Sequence, residues 1–226
     1  MLPRVIIHNA SSIDGRITGF MPNLGVYYGL VHQWGEDATL AGADTILAGP
    51  ELFGEEVPPE TPDDLKPWKI APDDDRPLLV IPDSRGRVRM WHHLRNSGIW
   101  RDVVALVSMS TPREYIDYLK ERNIATIVAG DDHVDMCAAL KELNQRYGVR
   151  IVRMDSGGTL NGVMLRAGLV DEVSVLVHPC LVGDTQSASI FNAVDLENPA
   201  GIIKARLLKA EELKDGIVWL RYEIEI

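Results

Sequence analysis

The chain has 226 residues, 46% hydrophobic and 25% charged, with a formal net charge of −10 at pH 7. That length can bury one sizeable core. The excess of carboxylates argues against DNA, RNA or anionic membrane as a partner, because each must be neutralised by Lys and Arg. No apolar run reaches the length of a membrane span. Met1-Leu2-Pro3-Arg4 leads into a strand-like run instead of a secretory leader, so a cytoplasmic protein is expected. Cys137 and Cys180 lack metal-ligand spacing and read as free thiols of a reducing compartment.

Val5-Ile6-Ile7 reads as a short buried strand, followed by a polar turn from Asn9 to Gly15. The pattern predicts a helix between about Leu30 and Ala41 and a second strand over Thr45-Ile46-Leu47-Ala48. Residues 50–77 carry seven prolines and nine acidic side chains without an apolar period. Such a stretch is loop, and at this length a lid, a binding loop or a disordered insert. Strands are expected again at Leu78–Ile81, Val103–Val107 and Ile124–Ala129. Between them, Thr111-Pro112-Arg113-Glu114 looks like a helix start with Thr as N-cap, Pro at the first position and Glu three residues after the cap. Asp131 or Asp132 is expected to cap the helix carrying Met136, Leu140, Leu143 and Tyr147.

The run Val149 to Met154 then gives way to Asp155-Ser156-Gly157-Gly158-Thr159 and a short helix to about Ala167. Glycines at a strand-to-helix turn let a ligand approach the backbone, and the first amides of a helix attract an anion. A long strand from Glu172 to Leu181 and a hairpin over 205–226, turning at Asp215-Gly216, complete the chain. The alternation implies an α/β fold in one domain, 1–226: a mixed, mostly parallel sheet flanked by helices, with an antiparallel C-terminal hairpin.

In open α/β sheets ligands lie beyond the carboxyl ends of the strands. The residues expected there are His8 to Ser12, Gly49-Pro50-Glu51, Asp83-Ser84-Arg85, Ser108 to Thr111, Gly130-Asp131 and Asp155 to Gly158. A P-loop, a first-strand G-x-G-x-x-G and a G-x-S-x-G elbow are all missing. Adjacent His92 and His93 point in different directions on any regular element, so a metal site is not expected there. Asp73-Asp74-Asp75 reads as a solvated loop tip, and His178 as structural.

Two stretches carry a family resemblance. Asn9-Ala10-Ser11-Ser12-Ile13-Asp14-Gly15-Arg16-Ile17 resembles the N-terminal signature of the riboflavin-biosynthesis pyrimidine reductases, whose fold is that of dihydrofolate reductase. Asp155 to Gly183 is similar to that family's long Gly-Gly segment with its Ala-Gly-Leu-Val-Asp-Glu continuation and Leu-Val-Gly ending. Gly42 to Gly49 and Val80 to Ser84 resemble two further family segments, in the same order along the chain.

The resemblance implies NADPH across the strand ends, with Gly157, Gly158, Thr159, Leu160 and Asn161 around its phosphates. Ser84 would meet the nucleotide part, Gly49 would give backbone access and Ser11 would lie near the nicotinamide. Asn9 and Asp155 would face substrate, Asp155 standing where the family has Glu. Asp155 and His8 are the candidates near proton transfer, while Asp14 braces its turn with Gly15.

The implied reaction is reduction of a ribosylaminopyrimidine phosphate at ribose C1′. One departure bears on substrate: the arginine expected after the second strand to hold the ribose phosphate has no counterpart near Pro62, leaving Lys69, Arg76 or Arg85 to replace it. A reductase of a pterin, a folate or another small carbonyl or imine is the alternative, and a non-catalytic nucleotide-binding protein the third reading. Apolar edges at Val173–Val177 and the terminal hairpin suggest a homodimer.

Overall fold

The computed structural model describes residues 1–183, 188–193 and 201–225. In chain order the strands are β1 (Arg4–Ser12), β2 (Ala38–Leu40), β3 (Leu78–Pro82), β4 (Asp102–Val107), β5 (Ala125–Val128), β6 (Ile151–Met154), β7 (Glu172–His178), β8 (Lys204–Glu212) and β9 (Val218–Glu225). The helices are α1 (Leu24–Gly29), α2 (Ala43–Phe53), α3 (Trp91–Asn96), α4 (Arg113–Glu121), α5 (Met136–Tyr147) and α6 (Gly158–Arg166). No described helix is long and apolar enough to cross a membrane.

The chain divides into two compact units, neither continuous in sequence. The first comprises residues 1–3 and 37–150. Its strands run parallel, β2 beside β3, β3 beside β4 and β4 beside β5. Its core gathers Leu79, Ile81, Trp91, Val103, Ala105, Tyr115 and Leu119, with Trp91 fully enclosed. Truncating such an aromatic to Ala costs about 3–5 kcal/mol. The second unit comprises residues 4–36 and 151–226. There β1 lies between β6 and β7 with all three parallel, and β9 and β8 continue antiparallel from β7. Tyr27, Trp34, Leu176, Ile217 and Trp219 pack its core with Ile6 and Ala10. The α/β class, the mostly parallel strands and the antiparallel C-terminal pair are as the sequence implies.

Several local expectations are corrected. Thr45 to Ala48 lies inside α2 and is not a strand. Gly42 opens that helix in extended conformation, Asp44 places negative charge in its first turn, and Gly54 closes it at φ 64°. A four-residue apolar run cannot decide between helix and strand, and here the flanking caps do. The true second strand, β2, falls within the predicted helix of residues 30–41. Asn23 caps α1 earlier, accepting from the Val26 amide at 3.1 Å, and Gly35 at φ 56° stops any continuation.

Thr111 is not a side-chain cap. Pro112 occupies the cap position of α4, and the Thr111 hydroxyl accepts from the Ser108 amide and donates to the Ser84 carbonyl. Asp135, not Asp131 or Asp132, caps α5 by accepting from Ala138 N–H at 3.0 Å. β7 ends at His178 because Pro179, lacking an N–H, cannot extend the ladder.

Residues 50–53 belong to α2, and the remainder of the acidic stretch is a strap without regular structure. It is tied down by side chains. Arg122 grips Glu60 with two bonds of 2.7 Å, Trp68 donates to Arg101 O, and Arg76 forks onto Asp74 while reaching Gly98 O. These partners lie at the amino ends of β4 and β5, opposite the carboxyl ends where a lid would act. The strap is therefore an anchored edge of the first unit, not a lid over its strand ends.

Candidate active site

Alternation along β1 sends His8 and Asn9 to opposite faces of the second unit. His8 is fully buried. Its ring stacks on Tyr27 at 4.4 Å, Nε2 lies 3.1 Å from the Tyr27 carbonyl and Nδ1 lies 3.0 Å from Ser174 Oγ. A carbonyl only accepts, so Nε2 carries the proton and Nδ1 accepts from the Ser174 hydroxyl. Trp219 Nε1–H in turn donates to that hydroxyl at 2.9 Å. Burial pushes the imidazole down to about 4, with Arg153 adding to the effect, and the ring is neutral. With no exposed surface and both nitrogens engaged, His8 is held within the core of the second unit.

Asp155, just past β6, is the accessible group, its side chain 26% exposed. One oxygen accepts from the Tyr27 hydroxyl at 3.0 Å and the other from Arg153 Nη1 at 3.1 Å. Tyr28, half in solvent, lies near enough to this carboxylate to feel its charge. Burial, then the Asp155 charge, raises both phenols well above the usual tyrosine range, so both stay protonated. The Tyr27 hydroxyl additionally lies 2.5 Å from His8 O, so its single proton is shared between two acceptors. Arg153 forks onto Glu36 as well as reaching Asp155.

On the other face of β1, Asn9 donates to Ser156 O at 2.9 Å and accepts from Asn161 at 2.8 Å. Asn161 also bonds Ile190 O and is fully buried, so its side chain staples β1 to α6 and to the 188–193 segment. Its backbone amide is engaged as well, donating to Gly157 O at 3.2 Å. Ser11 is buried on the same face as Asn9.

Gly157 takes the cap position of α6 in extended conformation with no side chain bonding into the first turn, and Thr159 is exposed there. The glycine argument needs correction at Gly158: a Cβ there would lie 2.0 Å from Ser189 O, and one at Gly162 would lie 2.0 Å from Asn192 O. Both glycines make room for the chain's own 189–193 backbone, not for an external ligand. What does suit an anion is the uncapped start of α6 beside a buried Ser156 hydroxyl that has no hydrogen-bond partner among the described residues.

Asp14 does not merely brace its own turn. It accepts from Ser12 Oγ at 2.6 Å and from the amides of Val182 and Gly183, 168 and 169 positions away. These bonds, the Ser12 one foremost, hold its carboxyl at about 2. The residue thus ties the Asn9–Ile17 motif to the Leu-Val-Gly ending of the second motif. His178 is structural, as expected: Nε2 accepts from the Asn23 amide and Nδ1–H donates to Leu176 O.

In the first unit, Ser84 stands in the turn after β3, where its Oγ accepts from the Val134 amide at 3.1 Å. Gly49 lies in the middle of α2 and not at a strand end, so its backbone is engaged in helix; Gly42 is the glycine that follows β2. Of the proposed substitutes for the missing arginine, Arg76 is pinned to Asp74 at the amino edge, whereas Arg85 is exposed in the turn with Ser84. His92 donates to Pro58 O and His93 faces Glu55 at 3.5 Å.

Tyr27, Tyr28, Arg153 and Glu36 were not anticipated. One signal was available: Arg153 and Asp155 are two apart, hence on one face of a strand, and a charge inside Ile151-Val152-Arg153-Met154 requires a partner. The tyrosines left no comparable trace, because their roles depend on contacts 19 and 128 positions away.

Residues 3–219 match the model of the RibD C-terminal domain. The 2,5-diamino-6-ribosylamino-4(3H)-pyrimidinone 5′-phosphate reductase of Methanothermobacter thermautotrophicus is 30% identical over 96% of this chain and 97% of its own. The reductase of the same description from Archaeoglobus fulgidus is 28% identical over 96% of each chain. Among solved structures, a pyrimidine reductase-like protein from Corynebacterium diphtheriae shares the fold, with TM-score 0.75 and 18% identity over 99% of this chain and 92% of that one.

Proposed function

The chain belongs to the RibD C-terminal domain family, and from that premise we propose that it is an NADPH-dependent oxidoreductase of riboflavin biosynthesis. Its substrate is a ribosylaminopyrimidine 5′-phosphate, either the 2,5-diamino-4-pyrimidinone or the 5-amino-uracil form, and the whole chain acts as one reductase domain. The observation that carries the reading is likeness along the full length to reductases of that description. At the site it is supported by a partly exposed carboxylate two residues ahead of an uncapped helix start.

When bound, NADPH supplies hydride to ribose C1′ as the sugar ring opens. The first amides of α6, at Gly157, Gly158, Thr159 and Leu160, would receive its phosphates, with Asn161 holding that turn from within and the Ser156 hydroxyl beside it. Ser11, Ser84 and Gly49 are further cofactor contacts by family likeness, Gly49 from a half-buried position within α2. Asn9 and Asp155 face substrate. Asp155, with Tyr27 and Arg153 donating to it, is a hydrogen-bond acceptor beside the released sugar oxygen, and orients the water that protonates that oxygen. Gly157→Val should abolish NADPH binding in a fluorescence titration; unchanged affinity would remove the cofactor assignment.

A second reading keeps NADPH and replaces the substrate by a pterin, a folate or another small carbonyl or imine. It is favoured by the arginines: Arg76 is held at the amino edge and Arg153 is enclosed by carboxylates, so neither offers a fork to phosphate. Turnover of the ribosylaminopyrimidine with and without its phosphate separates the two, since indifference to phosphate supports the second.

The edge strand β8 is exposed along its whole length and carries Leu207 and Leu208, which supports a homodimer. Light scattering on the eluting protein tests that. Free Cys137 and Cys180 accord with the reducing cytoplasm as its compartment.

A further inference from the structure

The second unit buries a charge that the proposed chemistry leaves unused. Arg153 points from β6 with its side chain 5% exposed, and Glu36 beside it is 10% exposed. Its Nε and Nη2 take both oxygens of Glu36, while Nη1 takes Asp155 Oδ2 at 3.1 Å. Tyr27 holds the opposite oxygen of Asp155 at 3.0 Å, and its own ring is locked by stacking on His8. The Asp155 carboxylate is thus gripped at both oxygens by groups that cannot swing away, yet it remains open to solvent on one side. A guanidinium shared between two carboxylates has no fork left for an incoming anion.

We propose that Arg153 is a positioning residue: braced by Glu36 and aided by the Tyr27 hydroxyl, it fixes the Asp155 carboxylate as an oriented hydrogen-bond acceptor towards substrate. This rests on the reading that Asp155 faces substrate. It also means that the cation nearest the site serves a carboxylate and not the substrate's phosphate, so phosphate recognition lies with other residues.

Removing Arg153 alone would take the guanidinium from the largely buried Glu36, which can unfold the protein. The decisive comparison is therefore Glu36→Gln against Glu36→Gln with Arg153→Met, both checked for a cooperative thermal transition. Carboxyl carbon NMR at pH 7.5 would follow the Asp155 signal in each. Loss of the guanidinium should move that signal relative to Glu36→Gln and lower kcat about tenfold or more with KM changed far less. Arg153→Lys should not restore kcat, because an ammonium keeps the charge without the fork.

A folded double variant whose Asp155 signal and kcat match those of Glu36→Gln overturns the proposal. So does an Arg153→Lys enzyme with full kcat. If the wild-type protein reduces no ribosylaminopyrimidine, the functional reading fails instead, and the NMR comparison still decides whether Arg153 holds Asp155.

Discussion

Acidification should cost this protein stability through His8 before its paired carboxylates titrate. The imidazole sits at about 4 in the fold against 6.5 when free, chiefly because burial penalises its charged form. Between those values the unfolded chain binds a proton that the folded chain refuses. Stability therefore rises with pH across that window, is fully present above 6.5 and is lost as pH falls towards 4. The 2.5-unit gap, at about 1.4 kcal/mol per unit, amounts to about 3.5 kcal/mol, a large share of a typical total of about 5–15 kcal/mol.

The groups that face the ring are Tyr27, Trp34 and Ser174 at contact, and Arg153, Asp155 and Glu172 through charge. Asp14, held at about 2, gives up its contribution only below the ordinary carboxylate range, outside this window. Urea titrations at pH 7.5, 6.5, 5.5 and 4.5 would compare the wild type with His8→Asn. The variant should be weaker at pH 7.5, having lost the stack on Tyr27, but its stability should fall by about 3 kcal/mol less over the series. Parallel curves for the two proteins would refute the argument, since they would put the pH dependence on other groups.

Three further outcomes follow from the packing. Gly158→Ala should destabilise the protein by about 1–3 kcal/mol in the absence of cofactor, because its Cβ would meet Ser189 O at 2.0 Å and the 189–193 backbone would have to move; an unchanged melting temperature would return Gly158 to a purely ligand-binding role. Asp14→Ala should leave the amides of Val182 and Gly183 without acceptors, and hydrogen exchange at those two positions should accelerate at least tenfold while β7 stays protected. Arg122→Ala should release the strap at Glu60 and expose residues 55–77 to limited proteolysis with kcat/KM retained, the anchor lying at the amino ends of the strands; a lost activity would mean that the strap reaches the site after all.

What the sequence made legible was period and punctuation. The buried strands β3 and β4 were placed nearly to the residue because a continuous apolar run ended by Pro-Asp-Ser, or flanked by a helix start, leaves little freedom. The second Gly-Gly motif was found for its length. Its meaning was only half readable, since close approach to a ligand and close approach to one's own chain require the same absence of a side chain. Gly158 and Gly162 are four apart on α6, and it is the 189–193 segment that fills the space above them. Nothing in a linear pattern distinguishes those two occupants. The misplacement of β2 has a similar origin: Thr45-Ile46-Leu47 has strand composition, and only the pairing of Ala38 to Leu40 with β3 settles which run is extended.

The polar residues divide by the range of their partners. Asp155 could be picked out because it adjoins a motif, and His8 because it follows a strand, yet the two end in opposite roles. The difference lies in Tyr27, which covers His8 with its ring and carbonyl and offers its hydroxyl to Asp155. One aromatic side chain thus seals the histidine away from solvent and orients the carboxylate towards it. A histidine at a strand end of this kind can serve chemistry only if no neighbouring ring closes over it. The reactive candidate is then the residue on which the covering group's hydroxyl lands, which here is Asp155.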